Sequence, residues 1–150
     1  MKNEGQNQSP VLHDIDDEHV RMRTLLGDVA AMLKAREVPV AEAKGDLAAV
    51  VTYLAEHFQN EDRKGGFFTE IIDLAPRLSE QAERVSHEHR DLLADFERFV
   101  RRAEAEEGSS SWWEDAQREF HDLSKQLMEH EHREQELLQA AFDDDIGTGD

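Results

Sequence analysis

The chain is predicted to be all-α, folded as an antiparallel up-down-up-down bundle of four helices. Three observations predict this. Glycine and proline are scarce, at 8 and 3 in 150 residues. Alanine, leucine, glutamate and arginine recur throughout, which makes helix the default local preference. Apolar residues return every three or four positions along four separate stretches, so each stretch has one face to bury. The length is that of a single ordinary domain, enough for one continuous core.

In the first stretch Leu12, Ile15, His19, Met22, Leu26, Val29 and Leu33 share a face, and Ser9 with Pro10 supply a cap and first turn. A second helix opens near Pro39 and carries Val40, Ala43, Leu47, Val50, Leu54, His57 and Glu61 before Gly65 and Gly66 interrupt it. Residues 67–78 read as an irregular connection or a short helical piece, after which Ser79 is expected to cap the third long helix. That helix presents Ala82, Val85, His89, Leu92, Phe96, Phe99 and Ala103, each 70 residues after its counterpart in the first. The linker EEGSSS follows, and Ser111 with Glu114 offers a capping box for the fourth helix. Its inward stripe is Trp113, Ala116, Phe120, Leu123, Leu127, His130, Glu134, Leu137 and Ala141, the first seven lying 73 residues after those of the second helix. Two similar hairpins with short connections make an antiparallel bundle over residues 10–142. Residues 1–9 and the acidic residues 143–150 are expected as flexible tails.

Seventeen basic against 35 acidic residues leave a formal charge of -18. Such a surface repels nucleic acid and anionic lipid, so neither is expected as a partner. With no cysteine, disulfides and thiolate ligands are excluded, and any metal must be held by histidine and carboxylate. No apolar stretch approaches the roughly 18 to 20 residues of a membrane span, and the first residues lack a signal-peptide layout. A cytoplasmic protein is expected, as a monomer or weak homo-oligomer.

Six residues break the apolar stripes: His19, His57, Glu61, His89, His130 and Glu134. Burying carboxylates and imidazoles together is costly unless they satisfy one another or a cation. At about 1.5 Å of rise per residue, His19 and His57 lie roughly 26 and 27 Å from their shared end, and His89 and His130 match within roughly 3 Å. All four imidazoles therefore reach one layer. In H-x-x-x-E the two side chains stand one helical turn apart on one face, and the sequence supplies this pattern twice. Four imidazoles and two carboxylates amount to two histidines per metal plus two bridging glutamates. Nitrogen and oxygen donors without sulfur suit iron, manganese or zinc. His13, His87, His121 and His132 fall off the stripes and are expected at the surface. Glu18, Glu56, Glu88 and Glu129 each precede an inward histidine; they read as a solvated face, or else as outer acceptors for ring N–H groups.

The order H, H-x-x-x-E, E-H, H-x-x-x-E, with the strings DEHVRMRTLL, EHFQNED, HEHRDLLADF and HEHREQELL, resembles the hemerythrin-like family of the His-His-Glu type over about residues 10–142. The resemblance implies two iron ions, ferrous or ferric and oxo- or hydroxo-bridged, held by His19, His57, Glu61, His89, His130 and Glu134. It also implies dioxygen, peroxide or a related small molecule as ligand. Oxygen-carrying hemerythrins have a second histidine four residues from that of the third helix, where this chain has Val85 and Leu93. They also carry an aspartate where this chain has Glu134, one position earlier. The chain therefore groups with the wider His-His-Glu proteins, and Glu131 is a candidate for a further coordination position. The expected function is oxygen or redox sensing, iron sensing, storage or delivery. One alternative is a peroxide-consuming or ferroxidase enzyme, although the ferritin-type E-x-x-H occurs only once, as Glu129 with His132. Another is a metal-free interaction module, which would leave Glu61 and Glu134 buried without a cation.

Overall fold

The structure, a computed structural model, describes residues 10–106 and 111–148, with side chains over 16–106 and 111–143. Helices α1 (Pro10–Ala35) and α2 (Val40–Asp62) form one hairpin. A short α3 (Phe67–Leu74) and a 3-10 turn (Pro76–Leu78) lead into the second hairpin, α4 (Ser79–Ala105) and α5 (Trp112–Thr148). No strand occurs among the described residues. Each hairpin packs internally, α1 also packs on α5 and α2 on α4, so the four long helices close a square, while α3 touches all four. The expected tail at 1–9 and linker residues 107–110 lie outside the described residues. Helix α5 continues to Thr148 through most of the stretch expected as a C-terminal tail, of which residues 149–150 also lie outside.

The core divides into two clusters. One joins Met22, Leu26, Val29 and Leu33 of α1, Leu47 and Leu54 of α2, Phe96 and Phe99 of α4, and Phe120 and Leu127 of α5. Trp112 closes its outer end, donating its Nε1–H to the carbonyl of Ala103 at 2.9 Å. The sequence stripe favours Trp113 as the inward residue, but Trp112 is the one fully buried and Trp113 is half-buried. In this first turn, a partner for the indole N–H decides which ring goes inside. The second cluster joins Phe67, Phe68, Ile71 and Leu78 to Ala82 and Val85 of α4 and to Leu137 and Ala141 of α5. Along α4 and α5 the two clusters are separated by His89, and by His130 and Glu134, so a polar layer lies between them.

The stretch at 67–78 is thus a lid, and its apolar residues are what bury it. Two glycines set its entry. Gly65 adopts φ 82°, a left-handed conformation that costs glycine little. Gly66 passes so near the end of α2 that a Cβ there would stand 2.4 Å from the carbonyl oxygen of Asn60 and 2.8 Å from that of Glu61. Ser79 is not the N-cap expected from sequence: it already has helical dihedrals and Leu78 takes the cap position. The 3-10 turn runs directly into α4, and the Ser79 hydroxyl donates back to the carbonyl of Pro76 at 2.6 Å.

Candidate metal centre

All six polar residues of the stripes are buried, none more than 4 % exposed. They form two groups that share both glutamates: His19, His57, Glu61 and Glu134, and Glu61, His89, His130 and Glu134. Within each group, one donor atom per residue lies within 4.8 Å of the others. Each carboxylate divides its oxygens between the groups. Glu61 Oε2 lies 3.1 Å from His19 Nε2 and 3.4 Å from His57 Nε2, while its Oε1 lies 3.1 Å from His89 Nε2. Glu134 Oε1 lies 3.0 Å from His19 Nε2, while its Oε2 lies 3.0 Å from His130 Nε2 and 3.3 Å from His89 Nε2.

Outside this layer the rings are held by residues from neighbouring helices. Asp62 Oδ2 lies 2.8 Å from His89 Nδ1, and Asp62 in turn accepts from the Ser86 hydroxyl at 2.7 Å. Glu88 Oε1 lies 2.7 Å from His130 Nδ1 and is fixed by Arg133, whose Nη2 donates to it at 2.9 Å. Glu18 Oε2 lies 3.4 Å from His57 Nδ1. Ionised carboxylates only accept, so His89 and His130, when neutral, carry their proton on Nδ1 and turn a bare Nε2 lone pair inward, whereas His57 Nδ1 has no hydrogen-bond partner. His19 differs, because its Nδ1 faces the side-chain amide of Gln135 at 3.3 Å.

The donor set therefore points imidazole lone pairs at carboxylate oxygens, acceptor against acceptor, and something positive must lie between them. Glu61 Oε1, although near His89, has no hydrogen bond of adequate geometry. Without a metal, protons must serve. Burial opposes a charge on His19, but hydrogen bonds to Glu134 and Glu61 outweigh it and push its pKa up to about 10. Burial likewise opposes a charge on His89, but Asp62, Glu134 and Glu61 raise it to about 11. Burial drives His57 down to about 4 and, with the charge of Glu134, lifts Glu61 to about 7. Burial also disfavours the charge on Glu134, yet hydrogen bonds from His130, His19 and His89 hold it well below the carboxylate range. Two cations bound by neutral imidazoles would remove this conflict, so the residues present fit a pair of metal ions.

Glu131 is buried but belongs to neither group. Its Oε1 accepts from Arg23 and lies 3.7 Å from His19 Nδ1, the edge of that ring turned away from the shared carboxylates. Of the glutamates that precede inward histidines, Glu18 and Glu88 back rings, but rings on the neighbouring helix; Glu56 and Glu129 are exposed. His87, His121 and His132 are exposed as expected, and the side chain of His13 lies outside the described residues. Sequence reasoning missed Asp62, Gln135 and Phe58. Asp62 and Gln135 each directly follow a layer glutamate and stand 73 residues apart, the offset that relates α2 to α5, so the repeat itself was a signal. Phe58 stacks on His89 with ring centroids 4.1 Å apart.

No helix of the described residues is long and apolar enough to cross a membrane. Comparison with curated proteins and with solved structures finds no match for the chain. A family model does match, the hemerythrin HHE cation binding domain, over residues 11–142. With that match covering nearly the whole bundle, the chain belongs to the hemerythrin HHE cation-binding domain family.

Proposed function

We propose that this protein holds two iron ions between its helices and binds dioxygen, peroxide or a related small molecule there, as an oxygen, redox or iron sensor or an iron store. The observation that carries the reading is the division of oxygens at Glu61 and Glu134, each of which faces both groups of imidazoles. A carboxylate that presents one oxygen to each side suits a pair of cations better than one. His19 and His57 serve one ion, His89 and His130 the other, and Glu61 and Glu134 bridge. Glu131 acts outside this set. Iron would supply a redox couple and Lewis acidity toward small oxygen and nitrogen ligands. The chain supplies the rest. Asp62 and Glu88 fix the Nδ1–H tautomers and orientations of the His89 and His130 rings. The two apolar clusters exclude bulk water from both ends of the layer.

The test is metal content by mass spectrometry on protein from iron-replete cells, with absorption spectra before and after dithionite and then air. Two irons per chain, with a near-ultraviolet band that bleaches and returns, is the expected result. A folded, colourless, metal-free protein would overturn the reading in favour of an interaction module. Two zinc ions would keep the centre and remove the redox role, and two manganese ions would keep the centre and replace the metal.

A further inference from the structure

The two halves of the layer match in their proposed ligands and differ in what flanks them. The 73-residue offset that superposes His57 on His130 and Glu61 on Glu134 also places Phe58 opposite Glu131, and the 70-residue offset places Leu93 opposite Arg23. One half is therefore flanked by an apolar pair and the other by an ion pair. On the apolar side Phe58 lies flat on His89, and Phe68 meets the same ring edge-on at 5.5 Å. The open groove outside reaches the Asp62 edge of that ring and is lined by Phe58 and Leu93 together with polar residues, among them Gln59, Ser86 and Asp91.

In the other half an ion pair leads from the surface to the layer. The Arg23 side chain is 46 % exposed and donates to Glu131, whose carboxylate is 4 % exposed. Arg23 also lines an open groove of about 910 Å³ between α1 and α5. Glu131 Oε2 is buried without a hydrogen-bond partner, and Oε1 stands beside the His19 ring. A half-satisfied buried carboxylate is costly to keep, and neither metal group uses this one. A hydrated divalent ion entering a layer as closed as this one must exchange water for protein oxygens on the way. On the Phe58 side the carboxylate nearest the layer, Asp62, already has its oxygens engaged by His89 Nδ1 and the Ser86 hydroxyl. A carboxylate whose present counter-ion is a half-exposed guanidinium offers both oxygens once the guanidinium swings away.

We propose that Glu131 and Arg23 form the entry gate for metal ions: Arg23 plugs the passage as a stand-in cation, and Glu131 receives the incoming ion and passes it to the His19 side of the layer. The inference rests on the proposed metal centre but assigns Glu131 a kinetic role, distinct from ligation. The ion takes the place of a guanidinium, so Glu131 keeps a positive partner throughout, of one unit more charge while the divalent ion is there, and no covalent bond is made or broken.

The test uses the metal-free full chain and cobalt(II), followed by its visible absorption in stopped flow, with stoichiometry measured after equilibration. Glu131→Gln, which keeps the shape and removes the charge, is expected to slow uptake by about tenfold with two ions still bound at equilibrium. Arg23→Ala is expected to speed uptake by about fivefold, as for loss of a partly exposed ion pair. Unchanged rates in both variants would overturn the gate. Loss of one ion from Glu131→Gln at equilibrium would also overturn it, by making Glu131 a ligand. A wild-type chain that takes up no cobalt and no iron would instead refute the metal centre, and the gate with it.

Discussion

The apolar cluster beside the α1–α2 turn draws on all four long helices, from Leu33 and Leu47 to Phe99 and Phe120. The cluster at the other end depends on the eight residues of α3 and the turn after it, packed on α4 and α5. The first is an ordinary bundle core, in which each helix buries its stripe against two neighbours. The second is a lid over a layer of charge. Its glycine entry abuts the backbone of Glu61, so the lid and the polar layer are mechanically joined. One end of the bundle should therefore fold on packing alone, whereas the other should depend on what fills the layer.

The harshest break is Glu134→Ala. It removes a carboxylate that faces three of the imidazoles and is expected to abolish binding of both metal ions. It is also expected to cost about 3–5 kcal/mol, since the partners stay buried and unmatched. Metal analysis and denaturant titration would check this, and a variant that kept two ions would contradict the bridging role. Phe99→Ala, in the all-helix cluster, is expected to cost a similar 3–5 kcal/mol, roughly the value for an emptied aromatic site. Metal content should nonetheless stay at two in the folded fraction. Loss of metal there would erase the contrast between the ends.

A smaller perturbation acts at the lid. Gly66→Ala forces a methyl group toward the carbonyl oxygens of Asn60 and Glu61 and is expected to cost about 1–3 kcal/mol by overpacking. Competition with a chelator should show weaker metal retention than in Phe99→Ala. Removing the metal should reverse the pH response. In the metal-free chain His19 and His89 have raised folded-state pKa values, about 10 and 11. Their stabilisation is complete below the unfolded value of 6.5 and is lost as pH rises through the folded values, while Glu61, raised from 4.5 to about 7, acts in the same direction at lower pH, between those two values. Metal-free protein should thus lose stability from pH 7 to 10. Metal-loaded protein should not, because protons there compete with the metal. Thermal melts at matched pH would show whether the two curves diverge. The mildest substitution is His132→Ala: this side chain is 75 % exposed, and both stability, within about 0.5 kcal/mol, and metal content should be unchanged.

How far the sequence reaches is clearest at individual residues. Helical spacing and the two offsets were enough to bring His19, His57, Glu61, His89, His130 and Glu134 to one layer, because a rise per residue fixes height and a period fixes face. The same logic put His87, His121 and His132 outside. It did not reach residues 67–78, whose eight-residue helix is too short to show a period, or Ser79, whose role as a cap depends on how the preceding turn arrives. It also paired the outer glutamates with no particular ring. Glu18 and Glu88 each reach across to the next helix, and that choice depends on the rotation and spacing of two helices, which no single helix encodes.

The sequence by itself determined the class of fold, the four stripes and the identity of the polar layer, since these follow from periodicity within one chain segment. Only the tertiary structure decided how Glu61 and Glu134 divide their oxygens, which carboxylate orients which imidazole, and that Phe58 stacks on His89 while its counterpart Glu131 meets Arg23. Those are matters of distance between helices, and they are set when side chains from four elements compete for the same space.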